Sequence, residues 1–235
     1  MFISIHIPKT AGTMLGYIFD HGSNRKVFWD YDPSYASVDK PDPDVIENFG
    51  FISRRFLFLH GHFYFRKYAG VAKTEHVITC IRHPLHRIIS QFKHEVYNCI
   101  NGARSWRSEL ILQGKMDLVD FITSDENIRL AQIRHLDGLA LKDYSHIFLH
   151  ENLDNSLAAF CSRFNFSRND PHFMGLPRIN AGEDKNFASP AQQRKYIDLT
   201  SMPQASLQEA FTLIPEEVEF YIEASALARK QFAGI

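Results

Sequence analysis

Apolar residues along the chain follow two rhythms. Short, nearly unbroken runs at residues 2–7 (FISIHI), 55–60 (RFLFLH), 76–81 (HVITCI) and 146–149 (HIFL) have strand length and predict buried strands. Between them the spacing becomes helical. Met14, Leu15, Ile18 and Phe19 mark a helix over about 13–20. Leu85, Ile88, Ile89, Phe92, Val96 and Ile100 form one stripe that starts at Pro84, a residue suited to a first helical position. A polar stretch at 102–108 follows, then helices at about 118–123 and 127–136. Leu153, Leu157, Phe160 and Phe164 mark another, and the last covers about 215–232. The polar, turn-rich segment from 22 to about 48, with "YDPSY" and "DKPDPD", predicts a surface excursion, and 165–189 reads as irregular. Strands alternating with helices predict an α/β protein: a three-layer fold with a central, mostly parallel sheet flanked by helices, one domain over residues 1–235. In such sheets ligands bind beyond the carboxyl ends of the strands.

Composition narrows the classes. At 235 residues, 45% hydrophobic and 23% charged, the chain is ordinary for a globular domain with a sizeable core. A formal net charge of −1 argues against a general nucleic-acid binder. Any anion site must therefore come from a few converging groups. The 3 cysteines (Cys80, Cys99, Cys161) are far apart and make no disulfide framework, which fits a reducing compartment. The run at 2–7 is too short for a secretory signal and lacks a basic flank, so Asn165-Phe166-Ser167 reads as a chance glycosylation triplet. No stretch approaches the ~20 apolar residues of a membrane helix. The expectation is a cytoplasmic protein with no membrane span.

Three strand ends carry chemistry. The first run leads into Pro8-Lys9-Thr10-Ala11-Gly12-Thr13-Met14. A strand-to-helix turn offers backbone N–H groups and the helix dipole to an anion, and Lys9 adds a full charge. Thr10 and Thr13 add hydroxyls, and Gly12 permits close backbone approach. The loop is P-loop-like, yet a Walker A loop would place its lysine after the second glycine and follow it with Ser or Thr. A plain junction with a solvated lysine is the competing reading. The second run ends in "LHGHF", where His60 and His62 share a side of an extended segment and Gly61 leaves room for a substrate. A histidine there suits a general base. A structural histidine, or a metal pair completed by His83 and His86, competes, but no carboxylate or Cys stands at convincing ligand spacing, so no metal is expected. The third run ends in "CIRHPLHRIISQF". Arg82 sits at the ligand edge, and Ser90 lies on the following helix nearly opposite its apolar stripe. They could converge on one phosphate, or Arg82 could pair with a local carboxylate while Ser90 faces solvent. Tyr64, Arg66, Lys67 and Tyr68 of "HFYFRKY" could contact an acceptor; rings packed onto the sheet are the default expectation.

Together, "HIPKTAGT", "LHGHF" and "IRHPLHRIISQF" resemble, in the family's order, the sulfotransferases that use 3′-phosphoadenosine 5′-phosphosulfate (PAPS), and most closely the heparan sulfate 2-O-sulfotransferase-like branch. Weaker echoes follow in "NIRLAQIRHLDG", "FLHENLDNSLAAFCSRF" and "LPRINAG". The resemblance implies that Lys9, Thr10, Ala11, Gly12, Thr13 and Met14 hold the 5′-phosphosulfate. It gives Arg82 and Ser90 to the 3′-phosphate, His62 to the catalytic base, and His60 to the site wall. Arg178 and Asn180 fall where family members close a loop over the nucleotide. It further implies adenosine 3′,5′-bisphosphate as product, no required metal, and a hydroxyl-bearing acceptor such as a carbohydrate. The chain is short beside the animal enzymes and shows no Golgi-type anchor, so it reads as a compact bacterial relative. A kinase with a degenerate loop and a non-catalytic nucleotide-binding module are the alternatives; paired histidines beside an intact Lys9 speak against the latter.

Overall fold

A computed structural model of the chain describes residues 1–31, 43–73, 76–103, 105–166 and 186–232. The described residues fall into two compact units. The first comprises 1–82, 132–179 and 220–235, the second 83–131 and 180–219, where those residues are described.

The first unit is built on five parallel strands: β1 (Phe2–Ile5), β2 (Val27–Asp30), β3 (Phe58–Gly61), β4 (Val77–Ile81) and β5 (His146–Leu149). Their order across the sheet is β2-β3-β1-β4-β5. β1, β3, β4 and β5 are buried throughout, which is why they read as continuous apolar runs and not as alternating ones. Helix α1 (Gly12–Gly22) and helix α8 (Leu153–Phe164) flank the sheet. Leu15, Ile18 and Phe19 from α1 and Phe160 from α8 close a core over Phe2, Phe58, Ile78, Cys80 and Phe148, which project from one sheet face. Ile3, Ile5, Leu59, Val77 and Ile81 fill the other face and are equally buried. The free edge of β5 is satisfied by side chains: the Ile147 N–H donates to Gln231 Oε1 and the Leu149 N–H to Ser156 Oγ. The expected mostly parallel α/β sheet is thus present.

Two elements depart from the sequence reading. Residues 27–30 are no surface excursion; they form edge strand β2, whose register pairs Asp30 with Gly61. Unlike the other strands, β2 is not an unbroken apolar run: Trp29 is exposed and the strand ends in Asp30, so its sequence lacks their signature. The segment 55–60 starts its strand only at Phe58, because Arg55 ends helix α2 (Pro43–Arg55). β2 is anchored by a buried cluster: Asp30 Oδ2 accepts from Lys67 Nζ and from the Tyr68 hydroxyl, each at 2.7 Å. The "HFYFRKY" rings accordingly pack inward, with Phe63, Tyr64, Phe65 and Tyr68 buried and only Arg66 exposed, paired with Asp137.

The second unit is helical. It contains α3 (Pro84–Ile100), α4 (Trp106–Leu112), α5 (Leu118–Thr123), α6 (Glu126–Arg129), α9 (Pro190–Thr200) and α10 (Gln204–Thr212). Ile88, Phe92 and Val96 of the α3 stripe pack with Ile111, Phe121, Ile122 and Ile214. The expected helix over 127–136 is broken at Leu130 into α6 and α7 (Ala131–Leu136). Helix α11 (Pro215–Phe232) matches its predicted span. Among the described residues no helix is long and apolar enough to cross a membrane.

Candidate active site

The strand order reverses at β1: β3 and β2 lie on one side, β4 and β5 on the other. A crevice forms at such a switch point, beyond the carboxyl ends of the strands. The residues following β1, β3 and β4 are the loop from His6, then His62, then Arg82. Three motifs separated in sequence therefore meet on three neighbouring strands.

The loop turns sharply. Lys9 (φ 69°) and Ala11 (φ 72°) both adopt the left-handed region although neither is glycine, a conformation that costs roughly 1–2 kcal/mol per residue. The surroundings hold it. Thr10 is fully buried and its hydroxyl donates to the Ile7 carbonyl at 2.8 Å, while Arg82 Nη1 donates to the Lys9 carbonyl at 3.1 Å. The Thr10 hydroxyl therefore braces the loop, in contrast to the expected outward-facing donor. Ala11 is the N-cap of α1; no side chain caps this helix and no acidic residue occupies its first turn. The first turn of α1 thus brings no carboxylate of its own to its first N–H groups and dipole.

Lys9 and Arg82 supply the charge. Burial lowers the Lys9 pKa and the neighbouring Arg82 lowers it further; burial likewise lowers that of Arg82, against a raising effect of Glu151. Arg82 Nε is buried without a hydrogen-bond partner among the described residues, and its backbone N–H donates to Gln132 Oε1 at 2.9 Å. Two partly desolvated cations without a bonded carboxylate among the described residues make a site poised for an anion.

Three imidazoles lie beside them. His6 stacks on His62 with ring centroids 4.0 Å apart and on His60 at 5.3 Å. His60 is buried and its Nδ1 bonds Ser4 Oγ at 2.9 Å; burial, reinforced by His62, lowers its pKa to about 3. His62 is half-buried. Burial brings its pKa to about 4; the His6 backbone opposes the shift and the Lys9 charge adds to it. Both rings are neutral at pH 7. The geometry makes His60 a packing and hydrogen-bonded residue and leaves His62 as the ring nearer solvent.

Both glycines have close neighbours. A Cβ on Gly12 would lie 1.8 Å from the His6 ring, so the space beside it holds an imidazole. A Cβ on Gly61 would lie 1.6 Å from the Asp30 carbonyl oxygen, so that glycine lets β2 approach β3. Met14 and Thr13 are half-buried on the first turn of α1, with Met14 against the apolar core. Ser90 is half-buried on α3, in the second unit. Arg178 and Asn180 lie outside the described residues.

Sequence reasoning missed His6 and Tyr31, whose hydroxyl bonds His6 Nδ1 at 2.8 Å. The signal for His6 was a polar residue at the end of an otherwise apolar strand run. For Tyr31 there was none, because β2 went unread.

Residues 1–221 match the family model described as "Sulfotransferase family". The chain belongs to the sulfotransferase family. No curated protein matches it. Membership makes this α/β sheet the fold of a transferase that moves sulfuryl groups.

Proposed function

We propose that this sulfotransferase uses PAPS as donor and passes its sulfuryl group to an acceptor hydroxyl on a carbohydrate or related alcohol, with His62 as general base. We further place it with the heparan sulfate 2-O-sulfotransferase-like branch, as a bacterial form. The observation that carries the reading is the meeting of two partly buried cations, Lys9 and Arg82, with a neutral His62 at the ends of β1, β4 and β3.

In this reading residues 9–14 cradle the 5′-phosphosulfate, and Arg82 with Ser90 takes the 3′-phosphate. Arg178 and Asn180 close over the nucleotide. The acceptor oxygen attacks sulfur in line, its proton passes to His62, and the bond between sulfur and the bridging oxygen breaks. Lys9 neutralises the charge that develops on that oxygen, which leaves with adenosine 3′,5′-bisphosphate. Loss of one such preorganised group costs about 3 kcal/mol of barrier. The unpaired Arg82 Nε and the uncapped start of α1 support donors of this charge.

The test is incubation with sulfur-labelled PAPS and a panel of glycans and small alcohols, read by mass spectrometry. Labelled sulfate ester is expected on at least one hydroxyl. The His62→Ala variant should lose transfer by at least a hundredfold, on the scale of general-base catalysis, yet bind adenosine 3′,5′-bisphosphate as the parent does. Transfer retained in that variant would remove His62 from the mechanism.

A further inference from the structure

Beside His62 the first unit opens into a cleft of about 530 Å³. One wall is the face of α1 that carries Thr13, Tyr17 and Asp20; the other carries Trp29 and Tyr31 from the end of β2, with His6 and His62 at the floor. We infer that this cleft receives the acceptor and selects a ring alcohol that carries a positively charged amine. The inference rests on the sulfuryl-transfer reading above and names its substrate class.

The aromatic residues are set out for a ligand. Tyr17, Trp29 and Tyr31 are 42%, 42% and 39% exposed, although rings of this size normally serve the core. They also touch one another: Trp29 and Tyr31 stack at 6.1 Å, and Tyr17 meets Trp29 edge-on at 6.3 Å. Gly16 leaves room for the indole to pack against α1, where a Cβ would come within 2.7 Å of it. A fixed group of π faces in a cleft takes the apolar face of a saturated ring and attracts a cation.

The charge inside the cleft makes the choice. Among the described lining residues Asp20 is the one carboxylate, and none is Lys or Arg. Asp20 makes no side-chain hydrogen bond or ion pair among the described residues. The Asp20 end of the cleft therefore carries negative charge beside π faces, opposite in sign to the Lys9–Arg82 end. An ammonium gains from both features, whereas an acceptor carboxylate or sulfate would meet Asp20 as a like charge. Position agrees. Asp20 lies seven residues beyond Thr13 on the same helix, about 10 Å along its axis, so the amine is held at the far end while the hydroxyl faces His62. The amine takes no part in bond making; it orients the ring.

Trp29 reports directly, once the other tryptophan is removed by Trp106→Phe, an exposed position. Glucosamine, N-acetylglucosamine and glucuronate, titrated separately, present the same ring as cation, neutral and anion. Glucosamine should quench with at least tenfold higher affinity than either of the others, and Asp20→Asn should weaken glucosamine about tenfold while leaving N-acetylglucosamine unchanged. Equal affinities, a preference for glucuronate, no quenching by glucosamine, or a preference that survives Asp20→Asn would each overturn the inference. Labelled PAPS then separates the two readings. Amine-selective quenching without transfer to any sugar removes the sulfuryl reaction and keeps the cation-selective cleft. Transfer to all three sugars at equal rates keeps the reaction and removes the selectivity.

Discussion

His62 shows how one residue's surroundings set its chemistry. An ordinary histidine is half-protonated near pH 6.5, but burial and the Lys9 charge bring this ring to about 4. A base must be deprotonated to act, so the acid limb of kcat/KM should fall far below the usual histidine value and leave the rate flat from pH 8 to 6. An apparent pKa near 6.5 in the free enzyme would speak against His62 as the base. A ring this weakly basic accepts a proton poorly; in the proposed reading, a donor anion held at Lys9 would offset that cation's effect on His62. Lys9 itself was legible in the sequence as a charge at a strand end. That Thr10 spends its hydroxyl on the Ile7 carbonyl was not, because a buried and an outward hydroxyl have the same letter.

At the scale of elements, β2 depends on one missing side chain. The Gly61 Cα faces the Asp30 carbonyl across the β2–β3 ladder, and any Cβ would enter that backbone oxygen. Backbone in a paired strand cannot swing aside as a flexible side chain can. Gly61→Ala should therefore separate the edge strand and lower unfolding free energy by roughly 3 kcal/mol or more, seen as a reduced urea midpoint. An unchanged midpoint would show that the strands part without cost. Displacing β2 would also displace Trp29 and Tyr31, so acceptor binding should suffer before the donor loop does. The four unbroken apolar runs announced their strands because both faces of the sheet are covered. β2 is exposed at Trp29 and ends in an acidic residue, which left its sequence without the unbroken apolar run of the others.

For the molecule as a whole, the first unit carries four histidines held neutral: His6 well below its ordinary range, His60 about 3, His62 about 4 and His146 about 4, each chiefly through burial. Their folded pKa values lie below the unfolded value near 6.5. The unfolded chain thus binds more protons across that interval, and stability rises with pH there. Stability should be complete above about pH 6.5 and decline progressively toward pH 4, measured as urea midpoints; His60→Asn should flatten the decline. A midpoint constant between pH 7 and 5 would contradict the neutral assignments. By itself the sequence determined the alternation of strands and helices, the three strand-end motifs and the modest net charge. These follow from local periodicity and residue type, which are written in order along the chain. Only the tertiary structure decided that β1 is the switch point bringing Lys9, His62 and Arg82 together. It also set His6 in the space beside Gly12 and joined Tyr17 and Asp20 with Trp29 and Tyr31 around one cleft. Strand order, burial and the close approaches that need a glycine are properties of neighbours distant in sequence, and no local pattern records them.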